Sequence, residues 1–208
     1  VISMSLGYND HYSSTSACES DFPMHNYTIN LATDQGLSVV VASGNNGNST
    51  AISAPSCISN AISVGSVTKS DVVSTFSQSA PILDLLAPGG DGPLTGGCTQ
   101  TITSTGYTGG FVGDCGTSMA APHVSGAILL LNQYEKSKTG HNLNASESLY
   151  YLNITGKQIN DSRNKYNFSR IDIAAALNAI FAQEHKGIIA MNSGIPFYTL
   201  DQNPMSPS

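Results

Sequence analysis

An α/β fold with a mostly parallel sheet flanked by helices is what the sequence predicts, and three observations carry it. A strand, a helix and a second strand follow one another within the first 43 residues, forming one βαβ unit. Leu37-Ser38-Val39-Val40-Val41-Ala42 is a β-branched run of the kind buried on both faces of a parallel sheet. From Thr117 onward, Ala120, Ala121, Val124, Ala127, Ile128 and Leu131 recur on one side of a helix.

Taken in order, Val1 to Ser5 alternates apolar and small residues and reads as a strand ending at Gly7. A polar, Ser-rich loop is expected through Ser20. Met24, Tyr27 and Leu31 then mark a helix that Gly36 ends as a left-handed cap. The Val39–Ala42 strand breaks at Gly44-Asn45-Asn46-Gly47-Asn48. Ala61 to Val67 and Leu83 to Ala87 are two further strands, the second closed by Pro88-Gly89-Gly90. Residues 89–116 are Gly- and Thr-rich and read as loops and a hairpin. The helix from Thr117 is expected to reach about Glu135, with Pro122 near its start kinking it. Ser146 to Leu152 and Asp172 to Gln183 are two more helices, the latter with Asp172 as N-cap. The domain is expected to span 1–185, with 186–208 a loosely ordered tail.

Composition narrows the function classes. At 208 residues the chain has room for one domain with a sizeable core. Eight Lys and Arg against fourteen Asp and Glu give a net charge of −6, so no basic footprint for nucleic acid or an anionic membrane is visible. Charged residues make up 11% and hydrophobic ones 40%, the balance of a globular chain rather than a disordered one. No apolar run approaches the ~20 residues of a membrane helix. The chain opens on strand-like residues without an initiator Met or a signal-like segment, which suggests a processed product or a fragment.

Chemistry concentrates where the strongest helix begins. Gly116-Thr117-Ser118-Met119-Ala120 places a serine among free backbone N–H groups and at the positive helix end, where negative charge is stabilised. Taken alone, an ordinary N-cap serine is the plainer reading. The longer run Gly116-Thr117-Ser118-Met119-Ala120-Ala121-Pro122-His123-Val124-Ser125-Gly126 resembles the nucleophile motif of subtilisin-like serine proteases, the subtilases. Val1-Ile2-Ser3-Met4-Ser5-Leu6-Gly7 resembles that family's substrate-binding strand, Val39 to Asn45 its oxyanion-hole segment, and Leu86-Ala87-Pro88-Gly89 its Ala-Pro-Gly loop. Phe168-Ser169-Arg170-Ile171-Asp172 is similar to its closing segment, so the resemblance covers roughly residues 1–183.

The resemblance implies a three-layer subtilisin-like fold and a serine endopeptidase that takes a polypeptide substrate. It implies Ser118 as the acyl-forming nucleophile and Asn45 as a neutral donor to the oxyanion, beside the Ser118 N–H. Ser5, Leu6 and Gly7 would pair with an extended substrate, with Ala42, Ser43 and Gly44 walling the specificity pocket. No charge sits at those positions, so an apolar preference is expected.

The family's catalytic Asp and His motifs, Asp-Thr-Gly-like and His-Gly-Thr-like, occur nowhere in these residues. They are expected on an upstream segment, in cis or as a second chain, leaving this chain alone inactive. His123 is no substitute, because five helical residues turn it about 140° away from Ser118. An inactive fragment or pseudoprotease that only binds peptides or a partner is the alternative. An α/β-hydrolase elbow is weaker. Its order would be met by Asp161 or Asp172 with His185, but Gly109 to Cys115 is a poor strand for it.

Four cysteines, Cys18, Cys57, Cys98 and Cys115, lack CxxC spacing, so no metal site is expected, and three pairings are open. Cys18–Cys57 and Cys98–Cys115 are expected. The first would join loops that the βαβ topology brings to one end of the sheet; the second would close the Gly-rich stretch before the nucleophile. No cofactor is expected, and a structural calcium ion is left open because the Asp residues form no loop motif. Six Asn-x-Ser/Thr sequons (Asn26, Asn48, Asn144, Asn153, Asn160, Asn167) are compatible with secretion, as is the even cysteine count.

Overall fold

The structure, a computed structural model, describes residues 1–192. The elements in chain order are β1 (Ile2–Met4), β2 (His11–Tyr12), α1 (Thr15–Asp21), α2 (Pro23–Asp34), β3 (Val39–Ala42), β4 (Ile52–Ser53) and β5 (Ala61–Val67). They continue with β6 (Leu85–Pro88), β7 (Ile102–Thr105), β8 (Phe111–Asp114), α3 (Thr117–Thr139), α4 (Ala145–Thr155), β9 (Lys157–Asn160), β10 (Asn167–Arg170) and α5 (Ile173–Asn192). One six-stranded sheet has the order β1-β3-β5-β6-β10-β9, parallel throughout except for the β10–β9 pair.

Strand alternation explains the three layers. Val40 and Ala42 of β3, Ile62 and Val64 of β5, and Leu85 and Ala87 of β6 face the cluster built on α3, with α4 and α5 behind. Val39 and Val41, with Leu86, face the opposite cluster, which includes Cys18 and Ile29 of α1 and α2. All residues of β3 and β5 are buried, as strands covered on both faces must be. The α3 face of Ala120, Val124, Ala127, Ile128 and Leu131 is wholly buried, and each large side chain there contributes about 1.5–3 kcal/mol of burial free energy.

Several boundaries differ from the sequence expectation. The stretch expected as a Ser-rich loop holds β2 and α1. Helix α1 has only Cys18 buried, so no apolar period announces it; Ser14 caps it by accepting from Ala17 N–H, and the Cys18–Cys57 disulfide anchors it. The β9–β10 hairpin was not read as paired strands, because β9 buries only Ile159. Helix α3 runs past Glu135 to Thr139, where the left-handed Gly140 caps it, and carries Pro122 without interruption. Helix α5 continues to Asn192, into the segment expected as tail; residues 193–208 lie outside the described residues. Gly36 does adopt the left-handed conformation expected after α2, and Asp172 accepts from Ala175 N–H as N-cap. The other disulfide, Cys98–Cys115, brackets the β7–β8 hairpin expected in the Gly-rich stretch. No helix among the described residues is long and apolar enough to cross a membrane.

Between β5 and β6, Asp84 accepts from both Ser63 N–H (2.8 Å) and Ser63 Oγ (2.7 Å), while its own N–H donates back to Ser63 Oγ. Burial pushes its carboxyl up to about 6 despite those two bonds. The folded state therefore holds the proton more tightly than the unfolded chain, whose carboxyl titrates near 4. Stability from this group is fully present below about pH 4 and is lost as pH rises through about 6. In the chain joined to the upstream segment expected from the sequence, Asp84→Asn, which keeps an acceptor for Ser63, should raise Tm relative to the parent at pH 7, with the gain disappearing near pH 4. Thermal denaturation across that range checks it; a gain independent of pH would refute it.

Candidate active site

Helix α3 begins with no side-chain cap. Its N-cap is Gly116, at φ 153°, a conformation that L side chains rarely adopt. The first-turn N–H groups of an α-helix have no intrahelical partners, so they must be used elsewhere or face solvent. The Thr117 N–H donates to Asn45 Oδ1 at 2.9 Å, and Thr117 Oγ1 donates to the same oxygen at 2.9 Å. Only an acceptor can face an N–H, so the Asn45 amide is oriented by this contact and its Nδ2 is turned the other way.

That orientation builds a donor pair. A Cβ added to Gly116 would stand 3.4 Å from Asn45 Nδ2 and 3.6 Å from the Ser118 nitrogen. Both nitrogens thus lie near one point beside Gly116, with Asn45 Oδ1 3.7 Å from it. A developing oxyanion placed there would meet two neutral, fixed donors at the positive end of a 23-residue helix.

The helix is tied to the first strand by a missing donor. Pro122 has no N–H to give the Ser118 carbonyl four residues back. Ser5 Oγ donates to that carbonyl instead, at 2.7 Å. The connection places the segment after β1 directly alongside Ser118.

A cleft of about 250 Å³ opens at this junction. Ser5, Leu6 and Gly7 line it from the end of β1, and Ala42, Gly44 and Asn45 from the end of β3, with Ser118 at the helix start. Ser43 is not among its lining. It is fully buried behind the wall, donating through Oγ to Gln78 O at 2.9 Å. Sequence reasoning missed Tyr8, Asn9, Asn46, Ser53 and Thr117 as lining residues. Thr117 lies inside a quoted motif and Tyr8 and Asn46 adjoin quoted ones, so these were within reach, whereas Ser53 arrives through the β2–β4 pairing, which leaves no sequence signal. None of the lining residues is charged. A larger cavity of about 400 Å³, lined by Asn60, Asn144 and Leu149 among others, holds none of this chemistry.

Gly44 is required where it stands. Its φ is +112°, and a Cβ there would lie 1.5 Å from Gln78 Oε1 and 2.6 Å from Ser53 Oγ. Its N–H donates to Thr117 Oγ1 at 3.2 Å, so the Thr117 hydroxyl both accepts from Gly44 and donates to Asn45.

Among the described residues, no imidazole or carboxylate hydrogen-bonds the Ser118 hydroxyl. His123 is exposed on the far side of α3, its Nδ1 2.7 Å from Met119 O. His11 Nε2 is engaged with Asn46 Nδ2 at 3.0 Å, and His25 with the Tyr8 hydroxyl at 3.2 Å. The side chain of His185 lies outside the described residues. The described residues show no α/β-hydrolase elbow: β8 does precede the serine, but it pairs only with β7 outside the main sheet. Asp161 is committed to Arg163, and Asp172 to capping α5. The metal-ligand cluster found among the described residues, Cys98, Asp114 and Cys115, has both sulfurs in a disulfide.

Comparison with known proteins follows the same lines. The extracellular serine proteinase of a Thermus species (strain Rt41A) is 38% identical over 122 residues, covering 58% of this chain and 27% of that protein. The major intracellular serine protease of Bacillus subtilis (strain 168) is 35% identical over 151 residues, covering 71% of this chain and 41% of the relative. A solved cold-adapted subtilisin-like serine proteinase superimposes with a TM-score of 0.59 at 28% identity, covering 79% of this chain and 52% of that one. The chain thus spans well under half the length of these two sequence relatives. The subtilase family model matches residues 1–165, and the chain belongs to the subtilase family.

Proposed function

We propose that this chain carries the nucleophile and oxyanion hole of a secreted serine endopeptidase. The observation that supports this most directly is the approach of Asn45 Nδ2 and the Ser118 nitrogen to one point beside Gly116. In this reading an extended polypeptide pairs through its main chain with Ser5-Leu6-Gly7 and sets its scissile carbonyl beside Ser118. With the base of the upstream segment taking the Ser118 hydroxyl proton and returning it to the leaving nitrogen, attack by Ser118 Oγ would place the oxyanion between the two donors, and collapse would break the C–N bond, expel the neutral amine and leave an acyl-enzyme. The uncharged lining of the cleft leaves a charged side chain before the scissile bond without an ionic partner, so an uncharged one is preferred there. Two disulfides and an extracellular relative support an oxidising compartment.

The catalytic Asp and His are assigned to an upstream segment, in cis or as a second chain. Strand β1 is the sheet edge, with Ile2 39% exposed, and Leu129 and Leu130 of α3 are exposed at 56% and 48%. An apolar sheet edge and helix flank of this kind are surfaces for further strands and helices to cover. A second reading, a peptide-binding but inactive subtilase, draws on one observation: no described base contacts Ser118. A serine without its base keeps only a small part of triad catalysis.

Two measurements separate these readings. The 208-residue chain alone should show no appreciable Ser118 labelling by a fluorophosphonate and no cooperative thermal transition, and supplying the upstream segment should restore both. Rapid labelling of the chain alone would place a base within it, with His11 and His185 the first to mutate. In the complete enzyme, Asn45→Ala should lower kcat about 10²–10³-fold with KM little changed. A loss confined to KM would make Asn45 a substrate-binding residue instead.

A further inference from the structure

The loop that carries Asn45 is held from a distance. Among the described residues, no backbone hydrogen bond fixes Asn45 itself, yet its neighbours are pinned on both sides by the segment Phe76–Ser79. Gly47 N–H donates to Phe76 O at 2.7 Å, Gln78 N–H to Gly44 O at 3.1 Å, and Ser79 N–H to Asn48 O at 2.9 Å. Ser43 Oγ adds a donation to Gln78 O. Asn45 therefore projects from a loop whose shape is copied from residues 76–79.

That segment is gripped in turn by the turn between β9 and β10. Arg163 is bidentate on Asp161, through Nε to Oδ1 at 2.9 Å and Nη2 to Oδ2 at 2.7 Å. Its remaining nitrogen, Nη1, donates to Ser77 O at 2.8 Å. Asp161, 1% exposed, also accepts from Ser79 Oγ at 2.6 Å. Asn164 Nδ2 donates to Ser79 Oγ at 2.9 Å and to Ser49 O at 2.8 Å, so this turn reaches the loop both directly and through the segment. A planar guanidinium with five fixed donors suits such a joint; an ammonium does not reproduce it.

We propose that the Asp161–Arg163–Asn164 turn is a second positioning device for the oxyanion donor: Thr117 sets the direction of the Asn45 amide, and the turn sets the place of the loop that carries it. Arg163 and Asn164 act on catalysis through the Phe76–Ser79 segment and the Gly44–Ser49 loop, without touching substrate. The catalytic readout rests on the endopeptidase reading above. Small displacements of a catalytic donor cost up to about 10²-fold in rate, so a clamp at this distance is felt at the transition state.

The test uses the complete enzyme and a double-mutant cycle, with rates normalised to active sites titrated by a fluorophosphonate. Arg163→Ala and Asn164→Ala should each lower kcat about tenfold or more with KM unchanged. In an Asn45→Ala background the same changes should cost less than about twofold, because the donor they position is gone. Arg163→Lys should not restore the rate. Equal losses in both backgrounds, or a loss confined to KM, would overturn the proposal, since a merely structural clamp acts the same with or without Asn45. Arg163→Ala leaves a buried carboxylate unpaired; if it does not fold, Asn164→Ala, which removes three hydrogen bonds (to Ser49 O, to Ser79 Oγ and from Tyr166 N–H) and no charge, decides the question. If the complete protein shows no turnover, the endopeptidase reading fails by itself. The clamp then stands on amide exchange: Asn164→Ala should speed exchange at Gly47 and Gln78, and unchanged protection there would refute it.

Discussion

One oxygen atom, Asn45 Oδ1, joins the two halves of the site. By accepting from both the Thr117 N–H and the Thr117 hydroxyl, it binds the loop after β3 to the first turn of α3. The position of α3 is set by packing of Val124, Ile128 and Leu131 against Val40, Ile62 and Leu85 of the sheet. The direction of one amide group is thereby fixed by a hydrophobic core on the other side of the helix. A net hydrogen bond is worth only about 1 kcal/mol, so the consequence of this contact lies in geometry more than in stability. Thr117 is suited to it because a hydroxyl donates one proton while still accepting, here from Gly44.

The same economy of small polar groups runs through the interior. Ser43, Ser53, Ser63, Ser66, Ser74, Ser77 and Ser79 are all buried, and each hydroxyl has a partner. A buried hydroxyl left unpaired would cost more than its packing returns, and these serines are met by backbone groups, by each other, or by the Gln78, Asp84 and Asp161 side chains. Close approach is the other half of the pattern. A Cβ at Gly89 would lie 2.2 Å from Ser66 Oγ and 2.6 Å from Gly116 O, which lets the Ala-Pro-Gly loop seat against the residue before Thr117. The low charge and high Gly and Ser content of the chain are the composition of this packing rather than of disorder.

Legibility in the sequence followed the range of the interactions. Strand β5 was readable to the residue, and α3 nearly so, because local apolar period and β-branching decide them. That Ser118 and Asn45 meet in one cleft was readable because a contiguous motif surrounds each. What stayed hidden was made by pairings distant in sequence. Ser53 enters the cleft because β4 pairs with β2, and β9 forms because Ile159 meets Phe168 across the hairpin. The Arg163 clamp spans from Ser77 to the β9–β10 turn, and nothing around Arg163 in the sequence marks it. Helix α1 hid for a different reason, since a seven-residue helix held by one cap and one disulfide shows no face to read.

In the endopeptidase reading, the reason an acid–base partner for Ser118 would have to come from another element lies in the helix itself. Side chains that share a face with Ser118 stand three, four or seven residues on, at Ala121, Pro122 and Ser125. The first packs into the core, the second frees the carbonyl that Ser5 captures, and the third bonds back to Ala121 O at 3.2 Å. Each of those positions serves to seat the helix, so none is available for a base. His123 falls between them and points outward, its ring already held at Met119 O. A nucleophile at a helix start gains its oxyanion donors from the helix and from the neighbouring β3 loop, but it cannot gain a general base from the same turn. The stabilising half of the chemistry and the proton-transferring half are therefore obliged to lie on separate segments of chain.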